Sequence, residues 1–371
     1  MAVAAFSGDN FRHLAFFYRG RDEYLAGLRS FIQASRERGA AVLAAVPLRQ
    51  AQLTPQEVSA DSAHVTLVDM AELGGNPARI IPALLAYAGK HRGQHIDCID
   101  EPIWPGRTTA EMQEAVKPEA LINLAFRDKP VTVLCPYDTA GLPGSVIADA
   151  ERTHPVVIKD RMEAASAGYL EPPSLPPRCN RALPHPPAHA ETLSYCDDLR
   201  SVRSFVTGRA VRAGLAPSRV SGLVLAISEL AGTSLCHTDG GGTVQIWQTE
   251  DQIICQLSDT GQLTDPLAGY RAQADGLLGG NRLWLVNQVS DLVQARTGPS
   301  ACTCACACRR RPASSRSTGT QPSRGALRPQ PSPFATASRR SRPPGRRLTS
   351  SGPARSHLAG SPGTDINPGA L

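Results

Sequence analysis

The chain has 371 residues, 41% of them apolar and 19% charged, with a net charge of +6 and ten cysteines. That length accommodates two ordinary domains. No run reaches the ~20 apolar residues of a membrane span, and the opening MAVAAFSGDNFRH lacks the basic start and apolar centre of a secretory signal. A cytoplasmic protein with reduced thiols is expected.

The charge is uneven. Residues 301–371 hold twelve Arg, no Lys and one Asp, which is +11, and leave the first 300 residues at −5. A mildly acidic body gives no reason to expect a nucleic-acid partner. Composition divides the chain into four segments. Residues 1–165 alternate helix-like and strand-like patterns, 166–190 are a Pro-rich linker, 191–300 regain periodicity, and 301–371 form a basic Arg/Pro/Ser tail.

In the first segment DEYLAGLRSFIQASRERG sets Tyr24, Leu25, Leu28, Phe31 and Ile32 on one helical stripe and stops at Gly39. AAVLAAVP and HVTLVDM read as strands, ARIIPALLAYAGKHRG as a helix, QHIDCIDEPIW as a strand, TAEMQEAVKPEALINLAFRD as a helix and PVTVLCPYD as a strand. This alternation predicts a parallel α/β sheet. Ligands of such sheets sit at the carboxyl ends of strands, where Asp69, Glu101, Trp104, Cys135 and Asp138 are expected. The phosphate loop GxxxxGK[ST] does not occur.

In the third segment DDLRSVRSFVTGRAVRAGL reads as a helix ending at Gly214. APSRVSGLVLAISELAGTSLCH reads as a second helix with Ser218 as its N-cap. Val220, Leu223, Val224, Ile227, Leu230, Ala231 and Leu235 form its core stripe, while Gly222, Ala226, Glu229, Thr233 and His237 share another face. A carboxylate on an otherwise apolar helix suggests that this face meets a ligand. GGTVQIWQTED and QIICQLSDTGQLTD read as a hairpin turning at Glu250-Asp251, and GGNRLWLVNQVSDLVQAR as a last helix leading into a strand.

Two resemblances follow from these strings. HLAFFYRGRDEYL, LVDMAELGGNPARIIPA, DEPIWPGRTTAEMQEA, EALINLAFRDKPVTVLCPYD and AERTHP, in that order over roughly residues 10–160, resemble the MEDS (methanogen/methylotroph sensory) domain. The resemblance implies a degenerate RecA-like α/β fold that senses a small organic signal. His13, Glu101, Trp104, Arg107, Cys135 and Asp138 are its pocket candidates. The alternative is structural: Trp104 packs in the core, Arg107 pairs with Glu101, and Cys135 is an ordinary buried thiol.

Residues 190–298 resemble the GHKL (Bergerat) ATP-binding fold, and within it the anti-sigma regulatory kinases, through SELAGTS, SDTG and GGNRLWLV. The resemblance implies an α+β domain binding ATP and Mg²⁺. Glu229 matches the general base. Thr233 stands where the family has the Asn that ligates Mg²⁺. Asp259 matches the acid that receives the adenine amino group, and Gly261 the glycine beside the base. Gly279 and Gly280 match the glycines under the phosphates, but Asn281-Arg282 replaces the family's Arg-Gly. The implied activity is that of a serine/threonine kinase acting on a partner protein. The alternative is a non-catalytic module that sequesters its partner. The implied partner is a sigma factor or an anti-sigma antagonist, with a homodimer as a further expectation. A histidine-kinase reading is disfavoured, because His185 and His189 lie in the Pro-rich linker and not on a phosphoacceptor helix.

The tail opens with ACTCACACRRR, whose four cysteines lack the CxxC spacing of zinc sites. GC-rich codons for this run would read His-Val-Arg-Val in another frame, an alternating strand, at the point where the fold lacks its last strand. Residues 301–371 are therefore expected to be a frameshift product. A genuine disordered basic tail is the competing reading.

Overall fold

The computed structural model describes residues 11–48, 65–172, 174, 179, 181–237, 241–271, 282–298 and 302–310. Gly279, Gly280 and residues 311–371 of the tail lie outside them. In the first domain the elements run β1 (Arg12–Tyr18), α1 (Gly20–Glu37), β2 (Ala41–Val46), β3 (Val65–Asp69), α2 (Met70–Leu73), a 3-10 turn (Pro77–Arg79), α3 (Ile80–Lys90) and β4 (Ile96–Asp100). There follow α4 (Thr109–Ala125), β5 (Val131–Asp138), α5 (Gly144–Thr153), β6 (Val156–Lys159) and β7 (Met162–Ala165). The second domain has β8 (Glu191–Tyr195), α6 (Leu199–Arg212), α7 (Pro217–His237), β9 (Gly242–Gln248), β10 (Gln252–Asp259), α8 (Arg282–Val289), β11 (Leu292–Thr297) and β12 (Cys302–Arg309).

Among the described residues the first sheet has seven strands in the order β3-β2-β4-β5-β1-β6-β7, parallel throughout except for the β6–β7 hairpin. Its central strands carry continuous apolar runs because helices cover both faces. One face buries Leu14, Phe16, Leu28 and Phe31 with α1, and the other buries Leu43, Ile80, Ile122 and Val133 with α3 and α4. The start of α4 is fixed by a capping box. Thr108 Oγ1 accepts from the Glu111 amide at 3.2 Å, and Glu111 Oε2 accepts from the Thr108 amide at 2.9 Å.

The second sheet is antiparallel, ordered β11-β12-β10-β9-β8. Helix α7 lays Leu223, Ala226, Ile227 and Ala231 on it. Pro217 is the first residue of α7, so Ser218 lies inside the helix and is not its N-cap. By length and composition α7 is apolar enough to cross a membrane, but half of that stretch is buried inside the domain, as in a core helix.

The domain boundary expected at residue 300 moves. Residues 302–309 form β12, which pairs with β10 from Asp259–Cys302 to Gln252–Arg309 and with β11 on its other side. The strand thought to need a shifted frame is built by CTCACACR as written, in the sheet's interior. Cysteine at every second position is also the period of a strand. Cys304, Cys306 and Cys308 enter the core beside Cys255 as small apolar side chains.

The domains touch through two helices of the first. In α4, Glu114 Oε1 accepts from Arg296 Nη2 at 2.5 Å, and Lys117 Nζ donates to the Ala295 carbonyl at 2.8 Å. Before α3, Asn76 and Arg79 bond the carbonyls that end α8. Arg79 Nε donates to Asn287 O at 2.9 Å and Nη2 to Ser290 O at 2.6 Å, while Asn76 Nδ2 reaches Asn287 O at 3.1 Å. A cation is favourable at that end of a helix. Twelve residues of the 17-residue α4 are buried, because it packs against the first sheet and the second domain.

Candidate functional sites

Of the face of α7 singled out from sequence, Thr233 lines a cavity, while Ala226 is buried in the core. A space of about 360 Å³ is lined by Thr233, Asp259, Leu230, Leu257 and Leu283, at the small end of the range for ligand sites. Asp259 ends β10, and its Oδ1 accepts from the Gly261 amide at 2.8 Å, which fixes the DTG turn. Its lining is mixed, with Gln262, Thr264 and Asp265 beside the leucines.

One turn earlier on α7, at Glu229, the surroundings are different. Arg282, the first residue of α8, sets its Nε 3.8 Å from Glu229 Oε2. Gly232 makes room for it, because a Cβ there would collide with Arg282 Nη1. Thr233 Oγ1 donates to Glu229 O at 2.8 Å, an i to i−4 bond within α7. Mg²⁺ does not fit these residues well. A guanidinium already stands beside the acid, and Thr233 offers one hydroxyl whose proton is committed to the helix. Gly232 was not singled out from sequence; its place one residue before Thr233 and facing Arg282 is a tertiary fact.

In the first domain five of the six pocket candidates separate into three groups, and the sixth, Asp138, ends β5 with its Oδ1 accepting from the Ala140 amide at 2.9 Å. Glu101 follows β4 and receives Tyr24 Oη at 2.5 Å and Tyr18 Oη at 3.4 Å, at the carboxyl ends of β4 and β1. Burial pushes its carboxyl up to about 8, although both hydroxyls pull it down. Trp104 and Arg107 form a second group. Trp104 is a core residue, and the Arg107 guanidinium lies 4.3 Å from its ring centroid. Arg107 does not pair with Glu101: it donates to the carbonyls of Pro102 and, at 2.6 Å, Gly74. Burial lowers it to about 10.

His13 and Cys135 make the third group. Cys135 is mid-strand, paired with Ala15, and not at the end of β5 as expected. His13 Nε2 is 3.3 Å from Cys135 Sγ. Two residues not singled out from sequence complete the group: Glu119 of α4 and His154, which caps α5. His154 Nε2 lies 3.0 Å from Glu119 Oε2, and Tyr137 Oη donates to the same oxygen at 2.7 Å. Burial holds the His13 imidazole well below its ordinary value and, helped by Glu119 and Asp100, raises the Cys135 thiol. His154 sits in the string AERTHP, while Glu119 looks in sequence like any acid of a helix.

Residues 12–155 match the family model described as the methanogen/methylotroph, DcmR sensory domain. The segment is a MEDS domain. No curated protein matches the chain. Among solved structures, the RsbU and RsbW domains of Rv1364c from Mycobacterium tuberculosis match with 16% identity and a TM-score of 0.27. That match covers 34% of each chain, so this protein spans about a third of its length, and the score is too low to carry a fold argument. The MEDS domain thus occupies the seven-stranded half, and its match stops just before the β6–β7 hairpin.

Proposed function

We propose that the protein is a signal-responsive regulator in which the MEDS domain controls an anti-sigma-type module of GHKL fold. That module holds a sigma factor or an anti-sigma antagonist and binds the base end of ATP. The motifs SELAGTS and SDTG support the reading, together with the cavity that unites Thr233 and Asp259. One observation carries the control. Asn76 and Arg79 of the sensory half grip the last carbonyls of α8, and the first residue of α8 pairs with Glu229. A shift in the MEDS domain that releases α8 moves Arg282 across the nucleotide face. Coupling of this kind requires an element with two arrangements, and α8 is the one both sites touch.

Sequestration is favoured over phosphoryl transfer. Transfer depends on metal-bridged positioning, and Arg282 and Thr233 both disturb it. Titration calorimetry on the full chain tests this. ATP is expected to bind equally well with and without Mg²⁺. The pair Thr233→Asn and Arg282→Gly should make binding Mg²⁺-dependent and tighter by about tenfold, the equivalent of ~1.4 kcal/mol. Tight, Mg²⁺-dependent binding by the unaltered chain would restore the kinase reading.

A further inference from the structure

We propose that His13, Glu119, Cys135 and His154 form a buried site for one divalent transition-metal ion of the zinc class inside the MEDS domain. Four elements deliver them: β1, α4, β5 and the end of α5. Their four donor atoms all lie within 4.8 Å of one another, and every one of the four residues is buried. A tetrahedral zinc ion with bonds of ~2.0–2.3 Å sets its donors roughly 3.3–3.8 Å apart. Three of the six donor pairs here are 3.0 Å (His154 to Glu119), 3.3 Å (His13 to Cys135) and 4.0 Å (His13 to Glu119) apart.

The hydrogen bonds around the cluster fix which ring nitrogens face inward. The Asn123 amide nitrogen donates to Thr153 O at 2.7 Å and Ala120 O at 3.1 Å, so its oxygen is the atom facing His13 Nδ1 at 3.1 Å. His13 Nδ1 therefore carries the proton. His154 Nδ1 lies 2.8 Å from the Ala150 carbonyl, which can only accept, so it too carries the proton. In the neutral imidazoles this tautomer leaves the Nε2 atoms, which face Glu119 and Cys135, as the metal-binding nitrogens. Outer-nitrogen donors of this kind are how proteins hold metal-binding imidazoles. Tyr137 orients the carboxylate in the same way.

Without a cation the arrangement is costly. His154 Nε2 lies 3.0 Å from a Glu119 carboxylate oxygen yet makes no aligned hydrogen bond there. Glu119 Oε1 is buried with no hydrogen-bond partner, and so are both oxygens of neighbouring Asp100. Among the described residues neither carboxylate is paired with Lys or Arg. Buried carboxylates require a compensating charge. A divalent ion supplies it and binds the two Nε2 atoms. Two imidazoles, a thiolate and a carboxylate suit zinc or its spectroscopic substitute cobalt, and disfavour Mg²⁺ or Ca²⁺.

The test uses the full chain. Metal analysis of the purified protein is expected to find about one zinc-class ion per molecule, consistent with a four-ligand structural site. After chelation, added Co²⁺ should give the visible bands of a tetrahedral site and a thiolate-to-cobalt charge-transfer band. Cys135→Ser should abolish the charge-transfer band and weaken Co²⁺ binding by roughly 10–100-fold. His154→Gln should weaken it similarly. Cys98→Ser, a buried thiol outside the cluster, should change neither. The proposal is overturned if the folded, unaltered chain carries no metal and gives no tetrahedral cobalt spectrum, or if Cys135→Ser keeps the full spectrum.

Discussion

Removing the charge of Glu114 should loosen the protein where its halves meet. Glu114 is the acid shared by Arg296 at 2.5 Å and Lys117 at 3.1 Å, and all three side chains are nearly buried. Each nitrogen of the Arg296 guanidinium is engaged: Nε bonds Arg181 O, Nη1 bonds Ala295 O, and Nη2 bonds Glu114. With charge centres ~4 Å apart and an effective dielectric near 20, one such attraction is about 4 kcal/mol. Glu114→Gln keeps the shape and leaves two buried cations facing each other, so a loss of roughly 3 kcal/mol is expected, the range for breaking one side of a buried pair. Urea unfolding followed by tryptophan fluorescence reads it, because Trp247 and Trp284 lie in the second domain. Adding Arg296→Met should recover part of the loss, with a coupling of about 1.5–3 kcal/mol in the double-mutant cycle. A loss below ~1 kcal/mol, the value of an exposed pair, would refute the buried network.

Other outcomes are equally open to measurement. Glu101 is raised from 4.5 to about 8 in the folded state, so the fold holds an extra proton between those values. Its contribution is complete below pH 4.5 and lost as pH rises through 8, roughly 5 kcal/mol in all. Glu101→Gln should flatten the fall of unfolding free energy over that window, and an unchanged slope would assign the dependence elsewhere. In β12, Cys306→Val should cost less than ~1.5 kcal/mol. Cys306→Ser should cost about 1–3 kcal/mol by burying a hydroxyl without a partner. Equal tolerance of both would mean the strand is not in the core. A chain ending at Ser300 lacks an interior strand, and its second domain should lose the cooperative unfolding transition that the full chain shows.

Much of the architecture was legible because period and punctuation agree with burial. Tyr24, Leu25, Leu28 and Phe31 face the core as their spacing predicts, and Gly39 and Gly214 take the positive φ of helix stops. The stripe on α7 is also buried as expected, and of its second face Thr233 reaches a cavity while Ala226 joins the core. Three things were not legible. β12 was hidden because a cysteine suggests ligation or oxidation before it suggests a small apolar side chain. The pairing of Arg107 was misjudged because carbonyl oxygens, which no sequence pattern marks, satisfy it. The four-residue cluster could not be read because its members are up to 141 positions apart (His13 to His154) and meet only when β1 inserts between β5 and β6.

The central claim is that the MEDS domain reaches the nucleotide face through α8. Calorimetry of ATP binding to the full chain, with and without Arg79→Ala, tests it most directly. Arg79 touches the far end of α8 and does not line the cavity. The account predicts at least a fivefold change in ATP affinity, about 1 kcal/mol of coupling, with the fold retained. An affinity unchanged by Arg79→Ala would contradict it.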